Sequence, residues 1–112
     1  MGSTKHFKYS EETTAISLVG RAFAHPCRVK MVELLIEVKK LSNQDLSDYF
    51  EMSRSTIHDH LVKLWQGGII EIEYCQTGTQ VSIKDEQLDF INQLITHLSF
   101  HTKDAYHLGV LD

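Results

Sequence analysis

The stretch "MSRSTIHDHLVKLWQGG", Met52 to Gly68, decides the fold. Ile57, Leu61, Leu64 and Trp65 recur at helical spacing, so one side of a short helix faces a core. Ser53 stands at the N-cap position, and Gly67 or Gly68 supplies a left-handed stop. Between the apolar residues stand Arg54, Ser55, Thr56, His58, Asp59, His60 and Lys63, each able to donate or accept a hydrogen bond. A helix so dense in such groups on its open side needs a partner for them, and the flanking sequence indicates which.

Upstream, Ser10 is placed to cap a helix whose first turn holds Glu11 and Glu12, favourable at the positive end of the helix dipole. Its apolar residues Ala15, Ile16, Leu18, Val19, Ala22 and Phe23 form a set wide enough to touch two surfaces. Pro26 fits the first position of a second helix, with Val29, Val32, Leu35 and Ile36, joined by Met31, as the expected buried stripe. Ser42 with Asp45 three residues on marks a third, short helix ending near Phe50, its core residues Leu46, Tyr49 and Phe50.

Downstream, "IIEIEYC" alternates, Ile70, Ile72 and Tyr74 on one face against Glu71, Glu73 and Cys75 on the other. "QTGT" is a turn, and "QVSIK" returns with Val81 and Ile83 inward, which makes a hairpin. A last helix opens near Asp85 and Glu86 and carries Leu88, Ile91, Leu94, Ile95 and Leu98. The fold class is therefore mainly α with a small β-hairpin. The third and fourth helices, joined by about three residues, form a helix-turn-helix and the hairpin its wing, while the outer helices are set for dimerisation. Residues 1–9 are read as a flexible N-terminus, 10–101 as the domain, and 102–112 as a tail or helix extension. In this architecture the helix 54–66 is a recognition helix, its polar side aimed at a DNA major groove.

At 112 residues one core is the limit. No apolar run approaches the ~20 residues that span a bilayer, and "MGSTKHFKYSEE" lacks the apolar region of a secretory signal, so a cytoplasmic protein without membrane contact is expected. A net charge of −4 weighs against nucleic-acid binding, although a local basic face can coexist with acids elsewhere. No glycine-rich phosphate loop or nucleophile turn is present, and an enzyme is not expected.

The pieces "FAHPCRVKMVELL" and "LSNQDLSDYFEMSRSTIHDHLVKLWQGGII", with the hairpin after them, resemble the ArsR family of bacterial repressors over roughly residues 22 to 84. The resemblance implies a homodimer, paired through the first and last helices, that binds a near-palindromic operator in double-stranded DNA. Many such proteins release DNA when a metal ion or oxidant binds. Three departures bear on this. His25 stands where family members usually carry Asp before the proline, which predicts a weaker helix cap. The positions matching the family's thiolate metal site, around Ser42 and Gln44, hold no cysteine. The wing tip "CQTGTQ" has neither Arg nor Lys.

The expected DNA contacts are Arg54, Ser55, Thr56, His58, Asp59 and Lys63 on the helix, with Gln76, Thr77, Thr79 and Gln80 at the wing. Arg54 and Lys63 suit phosphates or a guanine edge, and Asp59 suits a cytosine amino group. The expected dimer residues are Ile16, Val19, Leu94, Ile95 and Leu98. No cofactor is expected, and a small effector is left open. For metal, His97 and His101 sit at the i, i+4 spacing that can grip one zinc or nickel ion, but their ligand set is incomplete and no metal is favoured. Cys27 falls in a first helical turn beside Arg28, where dipole and charge would lower a thiol pKa. With no resolving partner, a buried or half-buried thiol is the plainer reading, and Cys75 lies on the outer face of the hairpin. Two further readings use the same scaffold: a metal-responsive derepressor acting through the last-helix histidines, and a winged-helix module that meets a protein instead of DNA.

Overall fold

The computed structural model describes residues 7–107, with side chains through residue 97. Five helices and three strands follow one another: α1 (Glu11–Ala22), α2 (Pro26–Val38), β1 (Lys40–Ser42), α3 (Asn43–Phe50), α4 (Arg54–Gln66), β2 (Glu71–Cys75), β3 (Gly78–Ser82) and α5 (Asp85–His107). Caps define the helices. Ser10 Oγ accepts from Thr13 N at 3.1 Å and opens α1. Ser42 and Asp45 form a reciprocal capping box at α3, and this bond from the Ser42 backbone N–H holds the Asp45 carboxyl below its ordinary pKa. Ser53 Oγ accepts from Thr56 N at the start of α4, and Gly68, at φ +75°, turns the chain after it.

The core lies between α2, α3, α4 and the sheet. Met31, Leu35, Leu46, Ile57, Leu61, Leu64, Ile69, Ile70 and Val81 are fully buried there. Gly67 marks where α1 crosses the end of α4: a Cβ added to it would lie 3.1 Å from both Ala22 Cβ and Leu18 O. α1 in turn packs on α5, with Leu94 buried.

Several sequence expectations need correction. The hairpin is part of a three-stranded antiparallel sheet of order β1-β3-β2, because Lys40–Ser42, just ahead of the third helix, pairs with β3 in the register Leu41↔Val81. Extended backbone is what the left-handed Lys39 (φ 74°) leaves room for between two helices. The buried stripe of α2 is Cys27, Met31, Val32 and Leu35, whereas Val29 and Ile36 are exposed. That helix packs on α4 and β1, and at helical spacing those two residues fall away from the four buried ones. Tyr49, Trp65 and Tyr74, expected inward, are all more than half exposed. His25 is a working cap: its Nδ1 accepts from Cys27 N at 3.0 Å. Over residues 102–107 the helix extension, one of the two readings left open for that segment, is what the structure describes, with α5 running to His107.

Candidate nucleic-acid interface

The turn between α3 and α4 is fastened by backbone and side chains together. Met52 N donates to Ser47 O, and Ser47 Oγ donates to Met52 O. Glu51 supplies the left-handed residue (φ 55°) that reverses the chain. Asn43, 5% exposed, donates from Nδ2 to Arg54 O at 3.3 Å and so ties the first turn of α3 to the first turn of α4. Its Oδ1 is buried without a protein partner among the described residues.

With Ile57, Leu61 and Leu64 anchored, the opposite face of α4 is presented outward. Arg54, Ser55, Thr56, Asp59 and Lys63 are all exposed on it. The Ser53 hydroxyl lies 2.9 Å from that of Thr56 and 3.3 Å from that of Ser55, so three hydroxyls gather at the helix N-terminus. Such a cluster, at the positive end of a helix, suits an anionic phosphate oxygen.

The wing meets this helix at two points. His58 Nε2 and Tyr74 Oη are hydrogen-bonded at 3.0 Å, their rings 6.0 Å apart. A Cβ built on Gly78 would stand 3.9 Å from Arg54 Nη2, so the Arg54 guanidinium lies beside the wing turn. The structure thus brings Arg54, His58 and the wing together. Gln76 and Thr77 are exposed in the turn, while Thr79 and Gln80 are half-buried on β3. Tyr74 was missed as a site residue because strand alternation assigned it to the inner face. Its phenolic oxygen at the open end of a strand was the available signal.

Charge is arranged unevenly. Glu71 pairs with Lys84 at 2.9 Å and Glu73 with Lys40 at 4.0 Å, so the sheet's acids draw its lysines to themselves. Glu71 also raises the Lys84 pKa through that bond. Arg54 and Lys63 on α4 have no carboxylate within ion-pair distance among the described residues and remain available to an external anion.

His60 does not join this face. It turns back to α2, where its Nδ1 lies 3.3 Å from Arg28 Nη1 and its ring 4.8 Å from that of His25. Burial, with lesser help from His25 and Arg28, pushes its pKa down. Cys27 beside it is buried, in line with the plainer of its two readings, and burial outweighs Arg28 to push the thiol's pKa up.

Of the expected dimer residues, Ile16 and Val19 are half-buried, Leu94 is buried and Ile95 is 61% exposed. With Gly20 they line an apolar hollow of about 170 Å³ on the outer side of α1 and α5. His97 lines a separate hollow with Glu11, Glu12 and Phe90. The side chains of Leu98 and His101 lie outside the described residues. No helix among the described residues is long and apolar enough to cross a membrane.

Comparison with known families and structures gives a consistent picture. The family model described as "Bacterial regulatory protein, arsR family" matches residues 25–71, which run from the cap of α2 to the start of β2. A search of curated proteins found no match. Among solved structures, HlyU from Vibrio cholerae superposes with a TM-score of 0.62 at 19% identity, over 80% of this chain and 97% of that one. The homodimeric winged helix-turn-helix DNA-binding domain of a possible ArsR-family regulator from Mycobacterium bovis gives 0.62 at 18%, over 85% and 90%. The transcriptional repressor BigR from Xylella fastidiosa gives 0.57 at 20%, over 77% and 88%. At these identities the likeness is one of fold.

Proposed function

We propose that this chain, whose residues 25–71 match the arsR-family model of bacterial regulatory proteins, is a dimeric, sequence-specific DNA-binding regulator, acting in the cytoplasm as a repressor. The observation that carries this reading is the exposed face of α4. Arg54 and Lys63 are uncommitted to carboxylates, a hydroxyl cluster sits at its N-terminus, and the helix is braced by the wing through His58 and Tyr74. In the complex, Ser55, Thr56 and His58 lie in the first turns, which enter the major groove, while Lys63 reaches a phosphate. Asp59 suits a cytosine amino group. Gln76 and Thr77, at the tip of a wing without cations, make only neutral hydrogen bonds. Thr79 and Gln80 support the wing from β3.

Few phosphate contacts per protomer make a second copy necessary. A two-fold dimer through Ile16, Val19, Leu94, Ile95 and Leu98 doubles the contacts and sets half-sites about 34 Å apart. The M. bovis domain of the same fold is a homodimer, which supports this arrangement.

The test is fluorescence anisotropy with duplex DNA from upstream of the protein's own gene, against a scrambled duplex. Arg54→Ala is expected to cost about 1–3 kcal/mol of specific binding. Tyr74→Phe, which removes only the hydroxyl that holds His58, is expected to cost about 0.5–1.5 kcal/mol. Equal binding to both duplexes, unchanged by either substitution, would refute the assignment and leave α4 as a protein-binding face.

A further inference from the structure

The start of α2 and the middle of α4 bring together three groups that DNA binding does not use. One ring nitrogen each of His25 and His60 and the Sγ of Cys27 lie within 4.8 Å of one another. The chemistry of the set is selective: two imidazoles and one thiolate are the donors of borderline-soft metals, with zinc foremost. We propose that His25, Cys27 and His60 form a zinc-binding site that bridges α2 and the recognition helix, with water or a small ligand in the fourth position. This inference is independent of the DNA-binding reading.

Geometry supports it. Tetrahedral zinc, at about 2.0–2.3 Å from each donor, needs the donors roughly 3.5 Å apart. The present separations close to that value by small rotations, for which the exposed His25 ring has room. Cys27 is held in place by burial and by its position in the first turn of α2. His60 is fixed on α4 between the buried Ile57 and Leu61.

The existing hydrogen bonds determine what kind of site this is. His25 Nδ1 accepts from Cys27 N, and His60 Nδ1 faces a guanidinium that can only donate. Each neutral ring therefore carries its proton on Nε2. An ion takes Nδ1 directly, or takes Nε2 after the proton has moved to Nδ1. Either route removes the α2 cap from His25 and the Arg28 contact from His60. Arg28 keeps its bonds to Ala22 O and Arg21 O, and its charge disfavours a cation nearby. As the zinc–sulfur bond forms, the Cys27 thiol loses its proton to solvent. Metal thus competes with the resting contacts, which makes this an exchangeable site rather than a permanent structural one.

The experiment is titration of the reduced full-length protein with Co²⁺ as a spectroscopic stand-in, then with Zn²⁺ in competition. The expected result is one ion per chain, with tetrahedral cobalt bands and a sulfur-to-cobalt charge-transfer band. Cys27→Ser should abolish the charge-transfer band. His60→Gln should weaken binding by more than the roughly 10–100-fold that loss of a second-shell partner costs. Cys75→Ser and the double variant His97→Ala/His101→Ala should change neither. Because Cys27 is buried and its substitution could perturb folding, a second readout uses the unaltered protein. Saturating zinc should slow alkylation of Cys27, followed by peptide mass spectrometry, and leave Cys75 unaffected. A charge-transfer band that is absent, survives Cys27→Ser, or disappears in the last-helix variant overturns the proposal. So does alkylation of Cys27 that is indifferent to zinc.

Discussion

His60 illustrates how much a single side chain's surroundings decide. From its position on α4 it could have been one more groove-facing group, but it points to α2 and is kept neutral by burial. The consequence for stability follows from proton linkage. Its folded-state pKa lies below the 6.5 of an exposed histidine, so as pH falls through 6.5 the unfolded chain binds a proton that the folded chain does not. Stability is therefore lost between pH 6.5 and the lower folded value. Urea unfolding in chelator should show wild-type stability declining from pH 7.5 to pH 5.5, and the decline should be shallower in His60→Gln. Identical slopes would mean that His60 titrates normally in the folded protein.

Other residues were read correctly from spacing, or incorrectly, for identifiable reasons. Ile57, Leu61 and Leu64 were legible because they occupy one narrow helical stripe and nothing else could bury them. Trp65, one position further round, is 56% exposed, since the stripe was already full and the ring instead lies with Val62, Ile72 and Tyr74 on an outer shelf. The polar face of α4 was equally readable, as the complement of that stripe. The brace between His58 and Tyr74 and the approach of Arg54 to Gly78 were not, because both depend on how the wing folds back.

At the level of elements, local signals located all five helices, and the capping residues Ser10, Ser42 and Ser53 stand where the sequence put them. The strand β1 was hidden because three residues carry no usable alternation, and its pairing with β3 is a long-range contact. The helices themselves are held by close approaches that composition does not display. Gly67 is one: its φ of −79° is open to any residue, so only packing against Ala22 and Leu18 requires glycine. Gly67→Ala should therefore destabilise the protein by about 1–3 kcal/mol in chemical denaturation, by prising α1 from the end of α4. An unchanged midpoint would show that α1 yields there without cost.

For the whole molecule, the formal charge of −4 and the DNA-binding reading are reconciled by distribution and by symmetry. Glu71 and Glu73 are engaged with Lys84 and Lys40, while the cations of α4 face outward. On the proposed reading, two copies together gather enough of them. Ile95, exposed in the single chain beside the hollow formed with Ile16 and Val19, is the residue on which the dimer should depend. Ile95→Glu should sediment as a monomer with unaltered helix content and lose specific DNA affinity by on the order of 10²–10⁴-fold, because the two half-sites are no longer linked. A variant that remains dimeric would place the two-fold axis elsewhere.

The most direct test of the central claim is the salt dependence of binding to a specific duplex, measured for the wild type and for Lys63→Ala. Phosphate contact predicts that log K falls linearly with log salt concentration, each contact adding about 0.9 to the slope. Removing Lys63 from a symmetric dimer removes two such contacts, so the slope should become shallower by roughly 2. Affinity that is flat in salt, or a slope indifferent to Lys63, would contradict the account.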